Sequence, residues 1–221
     1  FTGASDDTTT GASDGIDTSR IPTPVSVITG ETLRRQQVRS VGDALGGLPG
    51  VSVNRVGGAG SLTEVRIRGA EANHTLVVID GIVANSANDG QFDLSNLSAE
   101  EIERIEVMRG PMSGIYGSGA VGGVINIVTR MPNHPLSLTL RSEFGSMNTR
   151  DVAARLAGGN ENGYIALSGH WRATNGFNIA PQTLAPFAAD EDGMRLGNFA
   201  LRAGGTIAPG AKLDLTLSQT T

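Results

Sequence analysis

Hydrophobic positions change their spacing twice along this chain. Residues 1–20, FTGASDDTTTGASDGIDTSR, carry no apolar periodicity and read as a flexible extension. From residue 21 apolar residues gather into short runs. Pro22 and Pro24 lead into a strand over 25–29, and Thr29 is placed to cap a helix over 31–37. Ser40 with Asp43 resembles a capping box, and Val41, Ala44, Leu45 and Leu48 share one helical face that Gly46, Gly47 and Pro49 bring to an end. Residues 51–56 and 62–68 read as strands around a glycine-rich turn. The unbroken apolar run 75–79 meets Asp80-Gly81, which suits the two positive-φ sites of a hairpin turn into 82–84. A polar loop covers 85–93. Ser98 with Glu101 predicts a short helix over 99–103, and strands follow at 105–109 and 121–129. Short helices among mixed strands make residues 21–131 a small α+β domain.

Past the stiff connector Pro132-Asn133-His134-Pro135 helical spacing disappears and the period becomes two. Leu136, Leu138, Leu140 and Phe144 oppose Arg141 and Glu143; Val152, Ala154 and Leu156 oppose Asp151 and Arg155. The rule repeats with Ile165, Leu167 and Trp171, with Phe199, Leu201 and Ala203, and with Leu213, Leu215 and Leu217. In all five segments the charges take the parity opposite to the apolar row. A membrane barrel separates lipid from lumen in this way, and a soluble half-buried sheet shows the same alternation. Short links near 146–148, 158–162 and 206–210, set against a long polar loop over 175–193, favour the barrel with its periplasmic turns and outer loops. Residues 132–221 are therefore expected to be about five antiparallel strands of a transmembrane β-barrel. Five strands fall short of the minimum of about eight for closure. The expectation is a fragment, or a barrel completed by strands of another chain.

Composition narrows the function. A net charge of −5 and the lack of a basic stripe argue against nucleic acid as a partner. With no cysteine there is no disulfide, thiolate nucleophile or zinc-thiolate site. No run of about 18 apolar residues occurs, which argues against a transmembrane helix and leaves a barrel untouched. The start at Phe1, with neither methionine nor signal region, suggests a processed or trimmed chain. His74, His134 and His170 are scattered without metal-ligand spacing, so neither zinc nor a catalytic triad is expected. Glu101, Glu103 and Glu106 lack a partnered nucleophile and read as surface or locking groups rather than an acid–base pair.

Five motifs in a fixed order resemble the TonB-dependent receptors: IPTPVSVIT at 21–29, VGDALGGLPGV at 41–51, VRIRGA at 65–70, LVVIDG at 76–81 and EIERIEVMRGPMSGIYGSGAVGGVINIVT at 101–129. The resemblance covers about 110 residues. It implies a plug domain (mixed β-sheet with short helices) inside an outer-membrane barrel, incomplete in this chain, in a receptor of a Gram-negative bacterium that catalyses no reaction. It implies active import: outer loops and plug apices bind a scarce ligand, and the TonB complex on the periplasmic side pulls the plug's N-terminus. Nothing in residues 1–20 looks like the family's coupling segment. Glycines 110, 114, 117, 119, 122 and 123 are expected to permit tight reversals and close contacts in a confined space. Arg68 and Arg109 correspond to arginines that pair with barrel glutamates and lock the plug, and those glutamates would lie on strands this chain lacks.

Within the family the likeness leans toward cobalamin receptors, through IRGAEANHTLVVIDGIVAN at 67–85, NGFNIAP at 175–181 and ADEDGM at 189–194. It implies ligand contacts on plug loops containing Gly57, Gly58, Ser61, Val83, Asn85, Asn88 and Gln91. It also implies a calcium site at Asp190 and Asp192, with Asn178 where an aspartate is expected; the bland alternative is a solvated acidic loop. Cobalamin is the expected cargo, ferric siderophore or haem the alternative within the family, and a soluble plug-like binding module the alternative outside it.

Overall fold

The structure is a computed structural model that describes residues 24–58, 60–132, 135–178, 191–208 and 210–221. The expected extension over 1–20 lies outside these residues, as does Asp190.

Strand β1 (Val25–Thr29) runs into helix α1 (Gly30–Arg35). Thr29 Oγ1 accepts a hydrogen bond from the Thr32 N–H (3.3 Å), as its position predicts. The helix closes at Arg35, short of the expected Gln37, because Gln37 adopts φ 53°, a left-handed conformation that cannot extend it. Helix α2 (Val41–Leu45) is capped by Ser40 Oγ, which accepts from Asp43 N (3.2 Å). The Asp43 carboxylate turns instead to Arg55 Nη2 (3.0 Å), so only half of the capping box forms.

Strands β2 (Val51–Arg55) and β3 (Thr63–Ile67) make a separate antiparallel hairpin. Strands β4 (Thr75–Ile79) and β5 (Ile82–Val83) enclose the expected two-residue turn, with Asp80 at φ 48° and Gly81 at φ 84°. Strand β6 (Ile102–Arg109), helix α3 (Ser113–Tyr116) and strand β7 (Gly123–Thr129) complete the domain. The sheet order is β1-β6-β7-β4-β5, and only β4 and β7 run parallel. The helix expected over 99–103 shrinks to a 3-10 turn, Ala99–Glu101, whose cap Ser98 Oγ accepts from Glu100 N rather than Glu101 N. Burial explains the change: Ile102 and Ile105 are 1% and 0% exposed and are drawn into the sheet, so β6 starts three residues earlier than expected.

Both faces of this sheet are covered. Leu33, Leu45, Ile67, Val77, Ile105, Val107, Ile125 and Ile127 pack on one side; Leu76, Val78, Met108, Met112 and Val124 pack on the other. Two-sided burial is why residues 75–79 read as an unbroken apolar run. A β-carbon on Gly123 would collide with the Met108 carbonyl, and Gly117 sits at φ 90°. Gly114 faces open space and has no such constraint.

The second body is a meander: β8 (Ser137–Gly145), β9 (Thr149–Asn160), β10 (Gly163–Thr174), β11 (Met194–Ala208) and β12 (Ala211–Thr220), each antiparallel to the next. β8 and β12 are left as open edges, so the sheet is part of a wall, not a closed barrel. Its apolar row is exposed: Leu138, Leu140, Phe144, Leu156, Ile165, Leu167, Phe199, Leu213, Leu215 and Leu217 all face outward. The turn at 146–148 lies at the same end as the long loop, because Asn175 N donates to Met147 O (2.9 Å). The links from β9 to β10 and from β11 to β12 lie at the opposite end. Of the three short links, two mark the turn-rich end and one belongs to the loop-bearing end.

Candidate functional site at the seam between plug and wall

The inward parity of the wall brings its charges against the plug. Arg39, following α1, donates from Nε (2.6 Å) and Nη2 (2.5 Å) to Glu143 Oε2 on β8. Arg141 on β8 reaches Glu100 on the plug (2.8 Å), Glu143 on its own strand (3.1 Å) and Asp151 on β9 (2.8 Å). Glu143 and Asp151 are cross-strand partners, a like-charge pairing that Arg141 offsets by bridging both. Asp151 has a side chain only 3% exposed and also accepts from His170 Nε2 (3.2 Å).

A second fastening lies at the β4–β5 turn. Asp80 Oδ1 accepts from Thr129 N (2.8 Å), its Oδ2 accepts from Thr129 Oγ1 (2.5 Å), and Arg202 Nη1 on β11 donates to Oδ2 (3.1 Å). The Ser168 hydroxyl of β10 donates to Glu101, and Arg155 Nη2 donates to Arg130 O (3.0 Å). A cavity of about 270 Å³ separates the two bodies between these contacts, bordered by Asp80, Glu101, Arg155, Ser168, His170 and Arg202.

This is a fastening rather than a reactive centre. His170 and Asp151 resemble the orienting half of a relay, but the nearby hydroxyl of Ser168 donates to Glu101 and has no hydrogen bond to His170. Glu106, 5% exposed, is held inside the plug by Arg104 Nε (2.6 Å) and Asn126 Nδ2 (2.9 Å). Burial, and then the charge of Glu106, pushes the Tyr116 hydroxyl above its ordinary pKa.

The residues implied as ligand contacts fall on two loops. Gly57 and Ser61 are half-buried and Gly58 is buried, and this hairpin rests on the loop-bearing end of the wall: a β-carbon at Gly60 would strike Met194, and one at Gly58 would touch Phe177 at 4.0 Å. Val83, Asn85, Asn88 and Gln91 lie on the second loop. Asp93 Oδ1 ties its end to the foot of the first by accepting from Thr63 N (3.0 Å) and Ser95 N (2.9 Å). Val83 and Asn88 are exposed. Asn85 is committed to the backbone, its Nδ2 donating to Thr75 O (3.0 Å) and Gly90 O (2.8 Å) and its Oδ1 accepting from Val77 N (2.7 Å). It shapes the loop with the groups a ligand would need. Hydrogen bonds from the Gln91 backbone and the Ser86 side chain hold the Asp89 carboxyl below the usual aspartate range.

Arg68, expected as a buried lock residue, is exposed at φ 54°, and its guanidinium has no hydrogen bond or ion pair among the described residues. Arg109 is partly buried and bonds within the plug, to Pro49 O (2.6 Å) and Ser26 Oγ (2.5 Å). The contacts that join plug to wall here run largely the other way, from plug carboxylates to wall arginines. Spacing did not single out Arg39, Asp80, Glu100, Arg141 or Arg202 as a set, although the parity rule had already turned Arg141 and Arg202 inward. Asn178 and Asp192 stand near the two stems of the long loop, which touch: a β-carbon at Gly193 would lie 2.9 Å from Thr174 O and 3.1 Å from Asn175 O. Among the described residues no three His, Asp or Glu side chains cluster as a metal set.

Residues 17–124 match the TonB-dependent receptor plug domain. The chain is 35% identical over 193 residues to the vitamin B12 transporter BtuB of Photobacterium profundum, covering 87% of this chain and 31% of that protein. Its fold is similar to the siderophore receptor PirA of Acinetobacter baumannii, with a TM-score of 0.70, 27% identity and coverage of 89% of this chain and 31% of the other. The ferric yersiniabactin uptake receptor FyuA of Yersinia pestis, at 20% identity, a TM-score of 0.69 and coverage of 90% and 31%, shares the fold. The chain belongs to the TonB-dependent receptors: it is a plug domain followed by antiparallel strands of an unclosed barrel. It is an outer-membrane protein of the Gram-negative type and not an enzyme. It spans 31% of the length of these relatives.

Proposed function

We propose that the complete protein is an outer-membrane active transporter that captures cobalamin and imports it with energy from the TonB complex on the periplasmic side. The observation that carries the reading is the plug docked by ion pairs on the charged face of a wall whose other face is an exposed apolar row. Such a plug blocks passage while bound, and its fastenings are separable charge pairs rather than a continuous apolar core. Ligand binding to the apices and a pull on the plug then bias its conformations toward an open one. The 35% identity to a vitamin B12 transporter, extending past the plug into the wall, supports cobalamin as the cargo.

The remaining strands come from sequence beyond this chain or from another chain, and lipid covers the leucine row. Arg68 and Arg109 meet carboxylates on those later strands; the buried Nε of Arg109, unpaired among the described residues, is suited to such a partner. Calcium, held by Asn178, Asp190 and Asp192, stiffens the long loop. The touching stems support this, as does the oxygen chemistry of the three side chains, although calcium takes six to eight oxygens and most of them would have to come from elsewhere.

Titration of the complete receptor with cobalamin, with a ferric siderophore as competitor, tests the assignment. Saturable binding below micromolar concentration that the siderophore does not displace is the expected result. Displacement, or siderophore binding alone, would move the protein to the siderophore branch, which the fold similarity to PirA favours. Chelating calcium should weaken cobalamin binding if the loop site exists.

A further inference from the structure

The plug's N-terminal strand is held by one arginine at the end where the chain enters it. β1 is an edge strand that pairs with β6 alone, from Val25 opposite Met108 to Thr29 opposite Arg104. Arg109, the last residue of β6, closes that entry three times. Its N–H donates to Pro24 O (3.3 Å), its Nη2 donates to Ser26 Oγ (2.5 Å) and its Nη1 donates to Pro49 O (2.6 Å). One residue thereby joins the beginning of β1, the end of β6 and the segment between α2 and β2.

The direction of loading gives this arrangement its meaning. Residues that would transmit a periplasmic pull precede Pro24, so the load enters the ladder at the Val25 end and opens its pairs one after another. Hydrogen bonds from a charged donor are roughly twice as strong as neutral ones, so the first rung under load is also the reinforced one. β4 and β7 are placed differently: both are interior strands, covered on both faces, and the Asp80–Thr129–Arg202 junction ties their far end to the wall.

We infer that Arg109 is the clasp that sets the threshold for detaching β1 from the plug sheet, with Ser26 and Pro49 as its catch, and that β1 is the first element to leave when the plug is pulled. The source of the load rests on the transporter reading, while the clasp rests on geometry alone.

The test uses the complete receptor reconstituted in lipid. Ser26→Ala removes the part of the catch that lies on β1 while leaving the guanidinium available to Pro49 and to any partner on later strands. Hydrogen exchange of the β1 ladder amides should rise about tenfold or more, with β7 unchanged. Arg109→Gln should act at least as strongly, and Arg109→Lys should restore part of the protection. Unchanged exchange in β1, or acceleration spread equally over β1 and β7, overturns the clasp.

A cross-link tests the order of events. Ser26→Cys with Val107→Cys, which face each other in the register, places a bridge between β1 and β6 in a chain that has no cysteine of its own. The oxidised receptor should bind ligand normally and fail to import it, and reduction should restore import. Undiminished import by the bridged receptor overturns β1 as the first element to leave. Failure of the unmutated receptor to import cobalamin would instead count against the transporter assignment, and the exchange measurement would still decide the clasp.

Discussion

Arg141 touches three carboxylates from two bodies, and its removal would break the Glu100 contact across the seam, while Arg39 still holds Glu143 and His170 still holds the nearly buried Asp151. Only Asp151 is nearly buried and the other partners are partly exposed, so breaking this set costs about 1–3 kcal/mol, between a surface pair and a buried one. Arg141→Ala is therefore expected to lower the stability of the plug in the complete receptor by that amount, read from its denaturant midpoint. Arg141→Lys should recover only part of it, since one ammonium cannot span the same oxygens as the guanidinium fork. A loss below about 0.5 kcal/mol for the alanine variant, in the range of a surface pair, would show that the seam is solvent-screened. Parity alone turns Arg141 inward, but its partner Glu100 lies on a different body. Asp80 and Arg202 are separated by 122 positions and Arg39 and Glu143 by 104, distances over which local patterning carries no information.

Elements were legible to the extent that their determinants are local. The two-residue turn at Asp80-Gly81 follows from which residues tolerate positive φ, and all five wall strands follow from strict alternation. Boundaries failed where burial outweighed local signals, as when Ile102 entered β6 and cut the expected helix to one turn. The outward row makes a sharper prediction. Leu167 lies near the middle of β10, between Leu156 and Leu201 in the register, so Leu167→Arg should destabilise the folded receptor in lipid by about 2–4 kcal/mol. Measured by reversible unfolding in phospholipid vesicles, a change below about 1 kcal/mol would mean that this face does not meet hydrocarbon.

At the scale of the molecule, the wall is open at β8 and β12, and two unpaired edges in hydrocarbon would leave a row of backbone groups unsatisfied. The isolated chain is therefore expected to aggregate or to require detergent, and to become monodisperse only with the strands that close the barrel. A compact monomer in plain buffer by light scattering would contradict the wall assignment. The order of motifs and the separation of apolar from charged positions onto opposite faces of the wall strands were determined by sequence alone, because period, turn chemistry and capping act over a few residues. Which charge meets which was decided only by the tertiary structure. Arg109 turning back onto Ser26 and Pro49, and plug carboxylates meeting wall arginines, depend on how two separately patterned sheets are brought face to face, and Coulomb and hydrogen-bond energies are set by distance in space rather than along the chain.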